Sequence, residues 1–400
     1  RAASGGRVSR PGRVVRVRRP ALVPPWEEPA GALAVLGRPL VERQDLALRA
    51  LGLRVEGEAD EPGTDADTLY FDADVDLAPG ALRAWLRVAA PGAQLAVVER
   101  PRRVGDIEVE PQAALLDGQP VDRNTPGATL ARLVGVRWGA AGHPVLVPPL
   151  GLTGRGPLPG PFGNGELVDW AIDVRTAVTV RHWVHALRAH LAALGVEIWT
   201  RLVLRPHALA WTLWRWPLRR HVAVVGRGCS IHPTASLEGC VVEDGASIGA
   251  YSRLQGCHVG PGAIVEDHVT ARLSSIGPRA HLANYSMFNM SVLGERSSCG
   301  HIGAQASVIG RDTFVSTFAT LQDLNLRGNV KVWMDGRPRD TGIPFLGCAV
   351  GHRVKLGAGV SIAPGRAVPS DVNLVAGGTV SRLEPSLPPG NYRVVDGKVV

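Results

Sequence analysis

Lysine is scarce in this 400-residue chain. Lys331, Lys355 and Lys398 stand against 41 arginines, which singles out each of the three as a position to inspect for chemistry. A second candidate is the run Tyr70-Phe-Asp72-Ala-Asp74-Val-Asp76, in which carboxylates close a short apolar segment. Asp72 and Asp74 so placed can hold Mg²⁺ against nucleotide phosphates. Equally, they can cap the helix that begins a few residues on. The five cysteines (Cys229, Cys240, Cys257, Cys299 and Cys348) contain no C-x-x-C pair, so neither a zinc site nor a dithiol redox centre is indicated. Their odd number, with no secretory segment in view, predicts reduced thiols in a cytoplasmic setting. Small and half apolar, cysteine also fills tight turns well.

The elements that must position these residues announce themselves by period. From about Val222 aliphatic residues recur every six: Val225, Ile231 and Leu237, then Val242, Ile248 and Leu254, later Ile309, Val315 and Leu321. The longest run is Val350, Leu356, Ile362, Val368, Leu374 and Val380, and Gly often follows the aliphatic position. Neither a helix nor an alternating strand has this spacing. It predicts a parallel β-helix in which each hexapeptide supplies one short strand and one corner, and three make a triangular coil of roughly eighteen residues. One long break, Gln322 to Phe345, interrupts the period. An insertion into a solenoid is the first place to look for function, and Lys331 lies in it.

Upstream the pattern is strand–helix alternation. Leu33 to Pro39 reads as strand and turn, Leu40 to Leu51 as a helix stopped at Gly52, and Thr68 to Phe71 as a buried strand. A helix over Gly80 to Val88 and a strand over Gln94 to Val98 follow, predicting a mostly parallel sheet with helices on its faces. Residues 116–164 read as loops closing this domain. Thr179 to Leu194 has the spacing of an amphipathic helix. Leu202 to Arg220, with Trp211, Trp214 and Trp216 among arginines, reads as a connector packed on the next domain, or as a basic aromatic helix on a membrane surface. The segments expected are a basic leader at 1–20, the α/β domain at 21–178, a helical connector at 179–221, the β-helix at 222–382 and a tail at 383–400.

The net charge of +8 is local. Seven arginines and no acid lie in residues 1–20, so the remaining chain carries only +1. Such a segment is read as a disordered leader, with a targeting peptide or a nucleic-acid arm as alternatives. No nucleic-acid face is expected on the folded part. An apolar content of 45% excludes wholesale disorder, and no apolar run is long enough to span a membrane as a helix.

The repeats, following an α/β segment, resemble the sugar-phosphate nucleotidyltransferases with a C-terminal left-handed β-helix, in particular the bifunctional uridyltransferase–acetyltransferases of amino-sugar synthesis. The resemblance is carried by Ser298-Cys-Gly-His301-Ile-Gly, by Leu324-Asn325-Leu-Arg327 with Gly328-Asn-Val-Lys331, and by Phe345-Leu-Gly347-Cys-Ala349-Val-Gly-His-Arg353. It covers about 220–382 specifically and 30–215 weakly, through Gly37-Arg-Pro-Leu-Val-Glu42 and the Asp72/Asp74 pair. What it implies is acetyl transfer from acetyl-CoA to an amino sugar, sugar phosphate or sugar nucleotide. His301 would be the general base, since such a transfer needs a group of near-neutral pKa to take the amine proton.

By the same resemblance Asn325 and Lys331 bind the acceptor, as do Asn284 and Tyr285. Gly347, Ala349, Arg353 and Lys355 line the acetyl-CoA channel and pair with its phosphates, and the chain forms a homotrimer. The chain departs from the family at Ala283, where a lysine is usual, and at Ala304, where an aromatic residue is. It also lacks the Gly-rich nucleotide loop, and no lysine precedes residue 331. Two alternatives accompany this reading. One is a sugar-1-phosphate nucleotidyltransferase working through the first domain with Mg²⁺; the other is a non-catalytic trimeric scaffold or ligand sensor.

Overall fold

The six-residue period folds into coils. In the computed structural model, which describes residues 10–98, 103–104, 107–108, 131–140, 142–157, 167–204, 221–300, 304–383 and 387–400, successive coils pair in parallel, residue on equivalent residue. Ile231, Ile248, Val265, Leu282, Cys299, Val315 and Leu356 form one such ladder. Leu237, Leu254, Ala271, Phe288 and Ala304 form the second. The third is Val225, Val242, Val259, Ile276, Leu293, Ile309, Val350 and Val368. All of these except Ile231 and Val225 are buried, so the three ladders enclose one continuous apolar core. Each backbone group finds its partner in the coil above or below, which is why such short strands are stable.

The coil is shorter than the eighteen residues expected. Equivalent positions lie 17 residues apart over most of the coils before the break, 16 across the coil in which Cys299 and Ala304 are only five apart, and 18 after the break. The difference arises between the second and third ladders, where the step is five residues rather than six. That tight corner holds Cys240, Cys257, Ser274, Ser291, Ser307 and Cys348, all buried. Across the break the offset is 41, yet the ladders resume in register. We call the faces one, two and three in the order of these ladders. The far end is closed by Gly390–Val395, which pairs in parallel with Val372–Ala376 on face one and turns back through Lys398–Val399. Much of the segment expected as a tail is thus a last coil.

The first domain is a six-stranded mixed sheet in the order His143–Val147, Ala93–Val98, Ala131–Trp138, Thr68–Asp72, Arg13–Val17, Gly57–Ala59. Ala131–Trp138 runs antiparallel to both neighbours and the other pairings are parallel. Helices α1 (Leu40–Arg49) and α2 (Pro79–Leu86) contribute Leu48, Leu82 and Trp85 to its core, beside Phe71 and Trp138. Two expectations are corrected here. Arg13–Val17, assigned to a disordered leader on its charge, lies inside the sheet with Val14, Val15 and Val17 buried. Arg13 is exposed, whereas Arg16 is largely covered against α1, where it pairs with Asp45. The stretch expected as loops contains Ala131–Trp138, His143–Val147 and Gly151–Pro157, the last antiparallel to Leu167–Asp173.

Helix α3 (Trp183–Leu204) joins the two parts. Expected to be amphipathic, it is covered along much of its length. Trp183, Val184, Leu187, Ala189, Ala193 and Leu194 share a core with Val23 and Trp26 of the first domain and with Val292, Val308 and Ala349 of face three. The first domain therefore sits on face three. Arg311 forks onto Glu28 across this seam, Trp26 Nε1 donates to the Val350 carbonyl at 3.2 Å, and Arg201 of α3 meets Glu243 at 2.7 Å. Trp211, Trp214 and Trp216 lie outside the described residues. Among the described residues no helix is long and apolar enough to cross a membrane.

Candidate active site

His301 lies outside the described residues. The strands on either side of it are described: Ser298–Cys299 is on face one and Ala304–Gln305 on face two. The corner between these faces has an aromatic edge. Tyr251, His268, Tyr285 and Phe318 each follow an inward residue of face one by three positions, and each has a positive φ between 57° and 73°. Tyr251 stacks on His268 with ring centroids 5.1 Å apart, and His268 on Tyr285 at 5.0 Å. Tyr251, Tyr285 and Phe318 are exposed, as are Ile264 and Phe314 on face one and Met287 on face two. Asn284 links coils: its side-chain oxygen accepts the Asp267 N–H at 2.9 Å, and its own N–H donates to Glu266 at 2.8 Å.

The excursion leaves at the next corner, between faces two and three. Its entry and exit are joined by a bridge between Leu324 and Phe345. Asn325 shapes the turn that follows, donating from Nδ2 to the Asn329 carbonyl at 3.0 Å and accepting the Arg327 N–H at 3.2 Å. Lys331 then opens a hairpin, Lys331–Met334 against Arg337–Asp340. Val330 and Val332 anchor that hairpin in the core shared with α3, and the Trp333 carbonyl meets Nε2 of His182 at 3.1 Å. The Lys331 ammonium is exposed with no ion-pair partner among the described residues. Along the solenoid axis the excursion starts one coil from Ala304–Gln305. Around the perimeter it is one corner away from the aromatic edge.

The four residues expected along an acetyl-CoA channel are not gathered. Gly347 sits at the excursion corner, where a Cβ would lie 2.1 Å from the Gln305 carbonyl oxygen, so the backbones touch and no side chain fits. Ala349 is on face three, fully buried in the core that contains Trp26. Arg353 is at the third corner, with its guanidinium on Asp371 at 2.7 and 2.6 Å. Lys355 is on face one beside Phe314, its ammonium exposed and without an ion-pair partner among the described residues.

The Asp pair of the first domain does not suit Mg²⁺. Asp72 accepts from Arg19 at 2.9 Å and has Arg137 at 3.9 Å, while Asp74 accepts from Arg181 at 2.9 Å. Burial raises the Asp74 carboxyl above its ordinary range despite that arginine. A dication here would face guanidinium charges at once, and no group of three or more metal-ligating side chains occurs among the described residues.

Two features escaped the sequence reading. The aromatic edge recurs at a 17-residue offset over Tyr251, His268 and Tyr285 and returns at Phe318, a spacing that a strict six-residue template hides. The second is a cleft of about 290 Å³ between the first domain, α3 and face three, lined by Arg38, Arg43, Asp76, Arg201, Glu243 and His258. A hydrogen bond from His258, backed by Arg201, holds the Glu243 carboxyl down at about 2. Nδ1 of His258 is buried without a hydrogen-bond partner among the described residues. Nothing in residue spacing foretells a site assembled from such distant segments.

No model of a protein family matches the chain, and no curated protein does. Among solved structures it is similar to the acetyltransferase domain of PglB from Neisseria gonorrhoeae FA1090 in complex with acetyl coenzyme A. That similarity has 17% identity over 37% of this chain and 57% of that one, with a TM-score of 0.21. It is also similar to PerB from Caulobacter crescentus in complex with CoA and GDP-perosamine (18% identity, 48% of this chain, 65% of that one, TM-score 0.18). A third is the polySia specific acetyltransferase NeuO (15% identity, 44% of this chain, 82% of that one, TM-score 0.24). The chain thus spans 57% of the PglB domain structure and 65% of PerB.

Proposed function

We propose that this chain transfers an acetyl group from acetyl-CoA to the amine of an amino sugar, sugar phosphate or sugar nucleotide, with His301 as general base. The imidazole takes the amine proton as the nitrogen attacks the thioester carbonyl, and the CoA thiolate leaves. The observation that carries this reading is the excursion. It opens from a coil adjacent to the one flanking His301, and on a hairpin anchored by buried valines it holds an ammonium, Lys331, with no ion-pair partner among the described residues. Lys331 suits the anionic group of a phosphorylated acceptor, and Lys355 the phosphates of the donor. Asn284 and Tyr285 border the acceptor, whereas Asn325 shapes the loop. A cytoplasmic setting, where acetyl-CoA is made, goes with this chemistry.

One chain leaves the parts of this site on two corners, so the reading includes a homotrimer. The exposed edge of Tyr251, Tyr285 and Phe318, with Met287 of face two beside it, is the contact surface we assign to it. Face three cannot serve, because the first domain already covers it. A ligand-sensing role for the first domain is the second reading, favoured by the cleft and the orphaned Nδ1 of His258. Nucleotidyl transfer has no comparable support, since Asp72 and Asp74 hold arginines.

The test is release of free CoA thiol from acetyl-CoA with a panel of amino sugars and their phosphates. His301→Ala should lower kcat by roughly a hundredfold or more, the usual scale for a general base. Acetylation that survives this change at full rate would remove His301 from the mechanism. Absence of thiol release with every acceptor would favour the sensor.

A further inference from the structure

A serine, a histidine and a glutamate meet on face one in three successive coils. The outward residues of this face pair coil by coil as Ser247, Ile264, His281, Ser298 and Phe314. Ser298 and His281 are thus direct neighbours, and Nδ1 of His281 lies 3.2 Å from Ser298 Oγ. On the other side of the ring, Nε2 of His281 lies 2.7 Å from Glu266 Oε1. The second carboxylate oxygen of Glu266 accepts the Asn284 N–H at 2.8 Å, which fixes the carboxylate in turn. Histidine and glutamate are each about one-third exposed, so the row is open to a ligand from solvent.

With Glu266 ionised and His281 neutral, the proton positions follow. An ionised carboxylate only accepts, so Nε2 of His281 must carry the hydrogen it shares with Glu266. The neutral ring then has its lone pair on Nδ1, where the Ser298 hydroxyl is the donor. A hydroxyl donating to an imidazole that a carboxylate orients is the arrangement that activates serine as a nucleophile, whatever the chain order or fold. The surroundings suit an acyl group: exposed Ile264 and Phe314 flank the pair on its rung, one coil to either side.

We infer that Ser298, His281 and Glu266 form a nucleophilic site that takes an acyl group from an activated ester or thioester and hydrolyses it. Ser298 Oγ attacks the acyl carbonyl while its proton passes to Nδ1 of His281. The tetrahedral adduct expels the alkoxide or thiolate, which leaves with that proton, and the acyl group remains as an ester on Ser298. Water then attacks this ester and gives a proton to Nδ1; the carboxylic acid departs and Ser298 recovers its hydrogen. Ser298 and His281 are catalytic residues in this step, and Glu266 is a positioning residue. The inference does not rest on the reading at His301, and it needs no CoA.

The probe is p-nitrophenyl acetate with the full chain. A burst of p-nitrophenolate close to one per chain is expected, with the mass of one acetyl group on the peptide that contains Ser298. Ser298→Ala should abolish the burst, and His281→Ala should slow it by roughly a hundredfold or more. Glu266→Gln should slow acylation about tenfold without changing the ester concentration that half-saturates it, a split that a purely structural role would not give. Ser247→Ala, on the same rung three coils from Ser298, should leave the burst intact. No burst in the wild-type chain, or an acetyl group mapped to any residue other than Ser298, overturns the inference. The mapped adduct on the wild-type chain decides the matter even if a variant fails to fold.

Discussion

Ser291 shows what one hydroxyl does inside the solenoid. It sits at the tight five-residue corner, donates to the Asn289 carbonyl at 2.7 Å and accepts the Ser307 N–H from the next coil at 3.1 Å. Ser274 and Ser307 repeat the pattern, Ser307 accepting the Cys348 N–H at 3.0 Å. Cys240 and Cys348 occupy the same rung, with thiols against the Leu254 and Ile362 carbonyls at 3.4 Å. Ser291→Ala therefore strands a buried N–H and should cost about 1–3 kcal/mol. Ser291→Cys, which reproduces a residue the rung already accepts, should cost under about 1 kcal/mol, as read by denaturant unfolding. Equal losses in the two would show that size rather than hydrogen bonding matters there. That cysteine belongs in tight turns was legible from its size and polarity. That serine and cysteine share one rung was not, because the rung follows the coil offset of 16 or 17 residues rather than the six-residue period.

Helix α3 is the element whose character the sequence least revealed. Its spacing suggested one apolar face, but the histidines that look polar in the sequence are buried with the rest. In His190, Nδ1 accepts the Leu36 N–H at 3.4 Å, so Nε2 carries the hydrogen given to the Ala34 carbonyl at 3.0 Å. Burial, with Arg43 and His258 nearby, pushes this imidazole down to about 3, and burial does the same to His182 just before the helix. His352, on the far side of the seam, falls to about 4 for the same first cause. The unfolded chain takes up these protons below about pH 6.5 and the folded one does not, so stability falls as pH drops below that value. A His190→Gln variant should be less stable than the parent at pH 7. The gap should narrow below pH 6.5 by about 1.4 kcal/mol per pH unit, measured as the difference in unfolding free energy. A gap independent of pH would mean that His190 takes up its proton equally in both states.

At the scale of the whole molecule, light scattering at micromolar concentration should give three times the 42.3 kDa chain mass. A single-chain mass would remove the homotrimer, and with it the means of joining the two corners. Replacing Tyr285 and Phe318 together by Asp, on the exposed edge, should dissociate the assembly without unfolding the coils. The β-helix was legible because each inward residue is set by position alone, Val350 through Val380 above all. The first domain was only half legible: Arg13–Val17, an interior strand of the sheet, was hidden by the arginines within and around it. The seam was not legible at all, since Glu28 and Arg311 are far apart in sequence.

One consequence concerns the hairpin that carries Lys331. It is not a free arm of the solenoid: its valines and the Trp333 carbonyl are gripped by α3 and His182, which belong with the other half of the molecule. The first domain and α3 thereby act as a jig for the hairpin, and a solenoid cut free of them would keep its coils and lose the tool they carry.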